Sequence, residues 1–167
     1  MSIFDRKDSV MNKQGKIEHL KNLIMLSIRD NQVHPLKLEL ITTFMQRRGL
    51  NDNDFQSAIL DLIADKKIEI QDGRVKLKVT NLCYFKPKDK DEALSYLNEI
   101  IILMMVGGGI NNKEKSMCYK LAKEFGVNQL VVDLQIINLW PKIKELYSTN
   151  EANTEKDINN QNADLPF

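Results

Sequence analysis

Few residues in this chain have the chemistry of a catalyst. There are two histidines, His19 and His34, two cysteines, Cys83 and Cys118, and one run of three glycines, Gly107-Gly108-Gly109. A histidine acts as a base when a nucleophile and an orienting carboxylate accompany it, and no such pattern surrounds His34-Pro35. His34 therefore reads as a solvent-facing residue at a helix start, and His19, beside an apolar stripe, as a rim residue. Two lone cysteines make neither a zinc site nor a disulfide framework, so a reducing compartment is expected, with Cys118 a buried, inert thiol. A phosphate-cradling loop needs a strand before its glycines and Gly-Lys-Ser/Thr after them, and here both are missing. The glycines read as a tight turn, no cofactor is expected, and the chain is expected not to be an enzyme.

The elements that would position these residues come from hydrophobic periodicity. Sliding the chain along itself by 77 positions lays residues 20–51 onto 97–128 without a gap. Leu20/Leu97, Ile24/Ile101, Leu26/Leu103, Gly49/Gly126 and Asn51/Asn128 are identical, and Leu23/Ile100, Val33/Ile110, Leu40/Met117 and Phe44/Leu121 are conservative. Each copy reads as helix, turn, helix, turn, helix. Ile17, Leu20, Leu23, Ile24 and Ile28 recur at helical spacing until Asp30-Asn31-Gln32, and Pro35 suits the first turn of the next helix. Gly49 is placed as a left-handed C-cap, and Asn51 or Asp52 caps a helix carrying Phe55, Ile59, Leu62 and Ile63. In the second copy a helix restarts near Asn112 and ends at Gly126. Asn128 then caps a helix with an apolar stripe of Leu130, Leu134 and Ile137, which Pro141 kinks or ends.

Between the copies, Ile68 to Val79 alternates apolar and polar residues around Asp72-Gly73, the pattern of a short hairpin; an extended linker is the alternative. The expected fold is thus all-α: two similar helical half-domains, 17–64 and 92–147, joined by a hairpin or linker over 66–90. Neither half has enough core alone, so one domain is expected over 14–147, after a flexible N-terminus 1–13.

With 167 residues, 24 Lys plus Arg against 23 Asp plus Glu, and 43% hydrophobic residues, the chain has no global field for nucleic acid or an anionic membrane. Lys66, Lys67, Arg74, Lys76, Lys78, Lys86, Lys88 and Lys90 are concentrated centrally, with Tyr84 and Phe85 available for stacking. A solvated hairpin explains them, and nucleic-acid contact there is the alternative. The start of the sequence is charged where a signal peptide is apolar, and the run Ile100 to Val106 is too short to cross a bilayer. A soluble, cytoplasmic protein without membrane insertion is expected.

At the two turns the sequence resembles the bacterial tellurite-resistance TerB-like family. In that family each of two helical halves runs an apolar helix into an Ala-Asp-Gly-Glu-Ile-type turn and then a Glu-rich helix ending in Leu-Gly. Ile28-Arg29-Asp30-Asn31-Gln32-Val33 and Val106-Gly107-Gly108-Gly109-Ile110-Asn111-Asn112-Lys113-Glu114 hold those places here, with Arg47-Arg48-Gly49-Leu50 and Glu124-Phe125-Gly126-Val127 as closing pieces. The resemblance covers residues 18–140 and implies an all-α bundle acting as a protein-interaction or scaffold module in stress response or tellurite resistance, without settled enzymatic activity. It also implies acidic metal ligands, of which Asp30, Glu39 and Glu114 remain. The second turn has Gly107-Gly108 in place of Asp-Gly, and Lys37 stands where the helix-start Glu belongs. A hard cation takes about six oxygen ligands, and these acids supply part of such a shell. The alternative is that Asp30 serves only its turn.

From Ser148 onward large apolar residues nearly vanish, and the segment 148–167 reads as a disordered acidic tail. It ends in Asp164-Leu165-Pro166-Phe167, which resembles the tip of bacterial single-stranded DNA-binding protein, where the final Phe enters a pocket on replication and repair enzymes. The alternative function is therefore an accessory factor of DNA replication or repair that recruits enzymes through Asp164, Leu165, Pro166 and Phe167. The oligomeric state is open from the sequence.

Overall fold

The computed structural model describes residues 3–79, 81–106 and 109–145, with side chains from Lys13 onward. Its order is α1 (Ile3–Ser27), β1 (Ile28–Arg29), β2 (Gln32–Val33), α2 (Pro35–Arg47), α3 (Asp52–Ala64), β3 (Ile68–Gln71), β4 (Arg74–Leu77), α4 (Lys90–Met105), α5 (Asn112–Glu124) and a helix over residues 129–145, here α6. The fold is mainly helical with two small antiparallel strand pairs, so the all-α expectation holds for the frame and misses β1–β2.

α1 is the central post. Every residue from His19 to Ser27 is buried, because α2, α3 and α4 pack around it. A helix surrounded in this way needs apolar residues on all sides, and Leu20, Leu23, Ile24, Met25 and Leu26 provide them. α4 is the second post, with Leu97, Ile100, Ile101, Leu103 and Met104 fully enclosed. The helix α1 begins at Ile3, so most of the stretch read as a flexible N-terminus is helical.

Local chemistry sets the joints. Pro35 opens α2 after the N-cap His34, whose Nδ1 accepts from the Leu36 N–H at 3.2 Å. Gly49 and Gly126 take φ of +71° and +74° where α2 and α5 end, a conformation that disfavours any residue with a Cβ. Asn51 caps α3 in a reciprocal box with Asp54, and the Asn128 side chain accepts from the Leu130 N–H at the start of α6.

Both hairpins turn on two residues at positive φ, the geometry that matches strand twist. Asp72 and Gly73 make the expected turn between β3 and β4, with Gln71 opposite Arg74 and Ile68 opposite Leu77. Asp30 and Asn31, at φ of +54° and +61°, make the other, and the Asn31 carbonyl accepts from the Val75 N–H at 3.2 Å. The two ribbons thereby lean on each other, which a lone pair of strands needs in order to persist.

Candidate functional site

The β1–β2 turn delivers Arg29 across to the start of α5. Its Nη2 donates to Glu114 Oε1 at 2.7 Å and reaches the Gly109 carbonyl at 3.4 Å, so the two inter-helix turns singled out in the sequence meet in space. Lys37 and Glu114 occupy the same position, third in α2 and third in α5, and both are buried. Lys37 is fully enclosed and donates to the Leu26 carbonyl at 3.2 Å. Burial pulls its ammonium below the usual lysine range, the Glu114 carboxylate partly restores it, and Arg29 lowers it again. The same two cations act on His34, lowered first by burial and then by Lys37 and Arg29. Glu114 Oε2 is buried without a hydrogen-bond partner.

Among the described residues this junction sets Arg29 and Lys37 beside the Glu114 carboxylate. Asp30 and Glu39 are exposed and Glu114 is committed to Arg29, so the residues read as metal ligands are not grouped. Among the described residues no three His, Cys, Asp or Glu side chains are placed to hold a metal ion. Asp30 itself takes φ of +54° in the β1–β2 turn.

A second polar knot lies deeper. His19 is 1% exposed, not a rim residue, because α4 passes directly against α1 at this level. Its Nε2–H donates to Glu99 Oε1 at 2.9 Å, and Arg48 clamps the same carboxylate through Nε at 3.1 Å and Nη2 at 2.9 Å. The Arg48 guanidinium lies 4.1 Å over the Tyr96 ring, and His19 and Phe85 stack around that ring at 4.4 and 4.9 Å. Burial acts to raise the Glu99 carboxyl, but hydrogen bonds from His19 and Arg48 outweigh it and hold Glu99 below its ordinary value. Burial lowers His19 further than Glu99 can raise it, so the imidazole stays neutral at pH 7. A His–Glu pair resembles half of a general-base arrangement, but here the imidazole is enclosed by Tyr96 and Phe85. Its chemistry is to fix the α2 end and α4 onto α1.

The thiols are equally enclosed. Burial pushes the Cys118 thiol up to about 12, and Cys83 is raised by burial although Lys67 Nζ lies 3.2 Å from its sulfur. Asn22, fully buried, holds the Cys83 backbone with both ends of its amide, donating to the carbonyl at 2.9 Å and accepting from the N–H at 2.5 Å. Of the aromatics expected to stack on nucleic acid, Phe85 is in the interior against Tyr96 and Phe125, and only Tyr84 is exposed.

What the interior does not absorb is one face of α6. Val132 and Ile143 are buried and Ile136 and Leu139 are half-buried against the core, whereas Leu130, Leu134, Ile137 and Trp140 are 63, 51, 65 and 40% exposed. The stripe read from the sequence points outward, because α6 is apolar on both sides and Val132, Ile136, Leu139 and Ile143 of the other side pack on the core. Pro141, which is exposed, does not end α6, which stays helical through residue 145. The Tyr119 hydroxyl donates to the Asp133 carboxylate and secures α6 to α5. At the far end of the stripe, a methyl group on Gly109 would sit 3.8 Å from Trp140 Cη2, so the apolar face runs up to the Arg29 junction. Exposed residues spaced this way carry no residue with catalytic chemistry and were missed as a surface because periodicity marks an apolar face without saying which of two faces the core takes.

The tip Asp164-Leu165-Pro166-Phe167 and the rest of the acidic tail lie outside the described residues. No described helix is long and apolar enough to cross a membrane. No family model, curated protein or solved structure matches the chain.

Proposed function

We propose that this protein is a non-catalytic, TerB-like interaction module that binds a protein partner through the outer face of α6 and the adjoining turn junction. The observation that carries the reading is the contiguous stripe Leu130, Leu134, Ile137 and Trp140, a set of large apolar side chains that a monomer has no reason to expose together. It is supported by the state of the titratable groups, since His19, Glu99, Lys37, Cys83 and Cys118 are buried among structural partners. The TerB-like part rests on the repeat. Two halves related by 77 residues account for Gly49 and Gly126 at like φ, Asn51 and Asn128 as caps, and Lys37 and Glu114 at like helix positions. In this reading the lysine ammonium stands where a cation-binding acid belongs, so the module does its work without a metal, in the cytoplasm, and a stress-response setting follows from the family likeness alone.

The test is quantitative capture of partners from source-cell extract with the wild-type chain and with Leu134→Asp/Ile137→Asp. Loss of specific partners from the variant, with its helical content intact, is the expected result, and an unchanged partner set overturns the reading. A second reading is favoured by the sequence Asp164-Leu165-Pro166-Phe167. An acidic, apolar and aromatic tip suits recruitment of replication or repair enzymes, and deletion of those four residues removes such enzymes from the captured set if it holds.

A further inference from the structure

We infer that the first occupant of the exposed α6 face is a second copy of this chain, giving a two-fold dimer in which two α6 helices pack antiparallel. The inference rests on the interaction reading above and names the partner. Three observations on the page point to it. The first is composition: between Gln129 and Pro141 the only charged residue is Asp133, and it is committed to Tyr119 within its own chain. A second copy meets along this face one half-buried carboxylate, already paired within its own chain, and little charge that would repel it. With a formal net charge of +1, two copies also approach without mutual repulsion.

The second is self-complementarity. A two-fold contact places each residue of a patch against another residue of the same patch. With the axis between residues 135 and 136, Leu134 of one copy meets Ile137 of the other, and Leu130 meets Pro141, with Trp140 closing over the end. Spacings of four, three and three residues from Leu130 to Trp140 keep all four side chains on one seam, and antiparallel helix dipoles oppose each other favourably.

The third is area. Four large side chains at these exposures amount to on the order of 400 Å² of apolar surface per copy. Two such patches with their polar margins, which include Gln129 and Asn138, cover about 1,000 Å² in total. That is the low end of specific association, so a reversible dimer in the micromolar range is expected.

Sedimentation equilibrium of the full chain measures it, with Trp140, the only tryptophan, as an internal reporter. The expected result is a mass near twice 19.3 kDa at about 100 μM protein, falling toward 19.3 kDa on dilution, with Trp140 emission shifting to the red as its ring becomes wet. Ile137→Asp, on an exposed position where folding is not at stake, weakens the association about 30-fold or more. Leu60→Asp, on the exposed side of α3, leaves it unchanged. A wild-type chain that stays monomeric at about 300 μM, a dimer that survives Ile137→Asp, or one that Leu60→Asp dissociates overturns the inference. A monomeric wild type whose partner capture is still lost on substituting Leu134 and Ile137 removes the dimer and leaves the interaction reading standing.

Discussion

Replacing Glu99 by Ala removes the acceptor on which His19 and Arg48 converge. Three hydrogen bonds of 2.9 to 3.1 Å are lost, two of them from one guanidinium, in surroundings where the carboxylate side chain is 9% exposed and the imidazole 1%. Removing one member of a buried charge network costs about 3–5 kcal/mol, because the partner charge stays desolvated. Arg48, with its side chain 13% exposed, recovers some hydration at the α2 end, which puts the expected cost near the lower figure of about 3 kcal/mol. Urea unfolding followed by circular dichroism reads this directly. With a slope of about 2 kcal/mol per molar urea, the midpoint falls by about 1.5 M. The companion variant Glu99→Leu/Arg48→Met, which replaces the pair by apolar groups, recovers most of that loss. A midpoint shift under about 0.4 M for Glu99→Ala would refute the reasoning, since the network would then be worth no more than a surface ion pair.

The remaining predictions concern groups of the same kind. His19 has a folded pKa below its unfolded value, so the unfolded chain takes up the proton first. Its contribution to stability is full above about pH 6.5 and is lost as pH falls below it, and Glu99, also lowered, adds to the loss at more acid pH. A stability that is flat from pH 8 to 5 by urea midpoint contradicts this. Lys37→Met removes a fully buried ammonium beside the Arg29–Glu114 pair and is expected to stabilise the fold by about 1 kcal/mol, whereas a loss of more than about 2 kcal/mol means that the ammonium is indispensable to Glu114. Asn22→Ala strands the buried Cys83 N–H and carbonyl and costs about 2–4 kcal/mol; a neutral result in thermal unfolding means that water enters to replace the amide. Gly73→Ala, at φ of +75°, costs about 1 kcal/mol and no more, because the rest of the hairpin turn has open space around it.

Much of the frame was legible because single residues announce joints. Pro35, Gly49, Asn51, Asp72-Gly73, Gly126 and Asn128 each restrict the backbone or cap a helix locally, and the structure uses them where periodicity places them. The second hairpin was not legible, since Asp30-Asn31 looks like a helix stop and two strands of two residues give no alternating pattern. The polar interior was equally hidden. His19, Asn22 and Glu99 sit among apolar neighbours because residues 51 to 80 positions away satisfy them, and Lys37 because it reaches the Leu26 carbonyl 11 positions back; no local rule reports such pairings. The α6 stripe was legible as a pattern but its direction was not, for a helix with Val132, Ile136, Leu139 and Ile143 opposite Leu130, Leu134, Ile137 and Trp140 offers the core a choice that only packing resolves.

The most direct test of the central claim is the capture comparison on α6. Wild-type chain and Leu134→Asp/Ile137→Asp, both verified as folded by circular dichroism, are used as bait in the same extract, and bound proteins are quantified. The account predicts that specific partners bound by the wild type are lost from the variant. Retention of the same partners in the same amounts contradicts it and returns the function to another surface of the molecule.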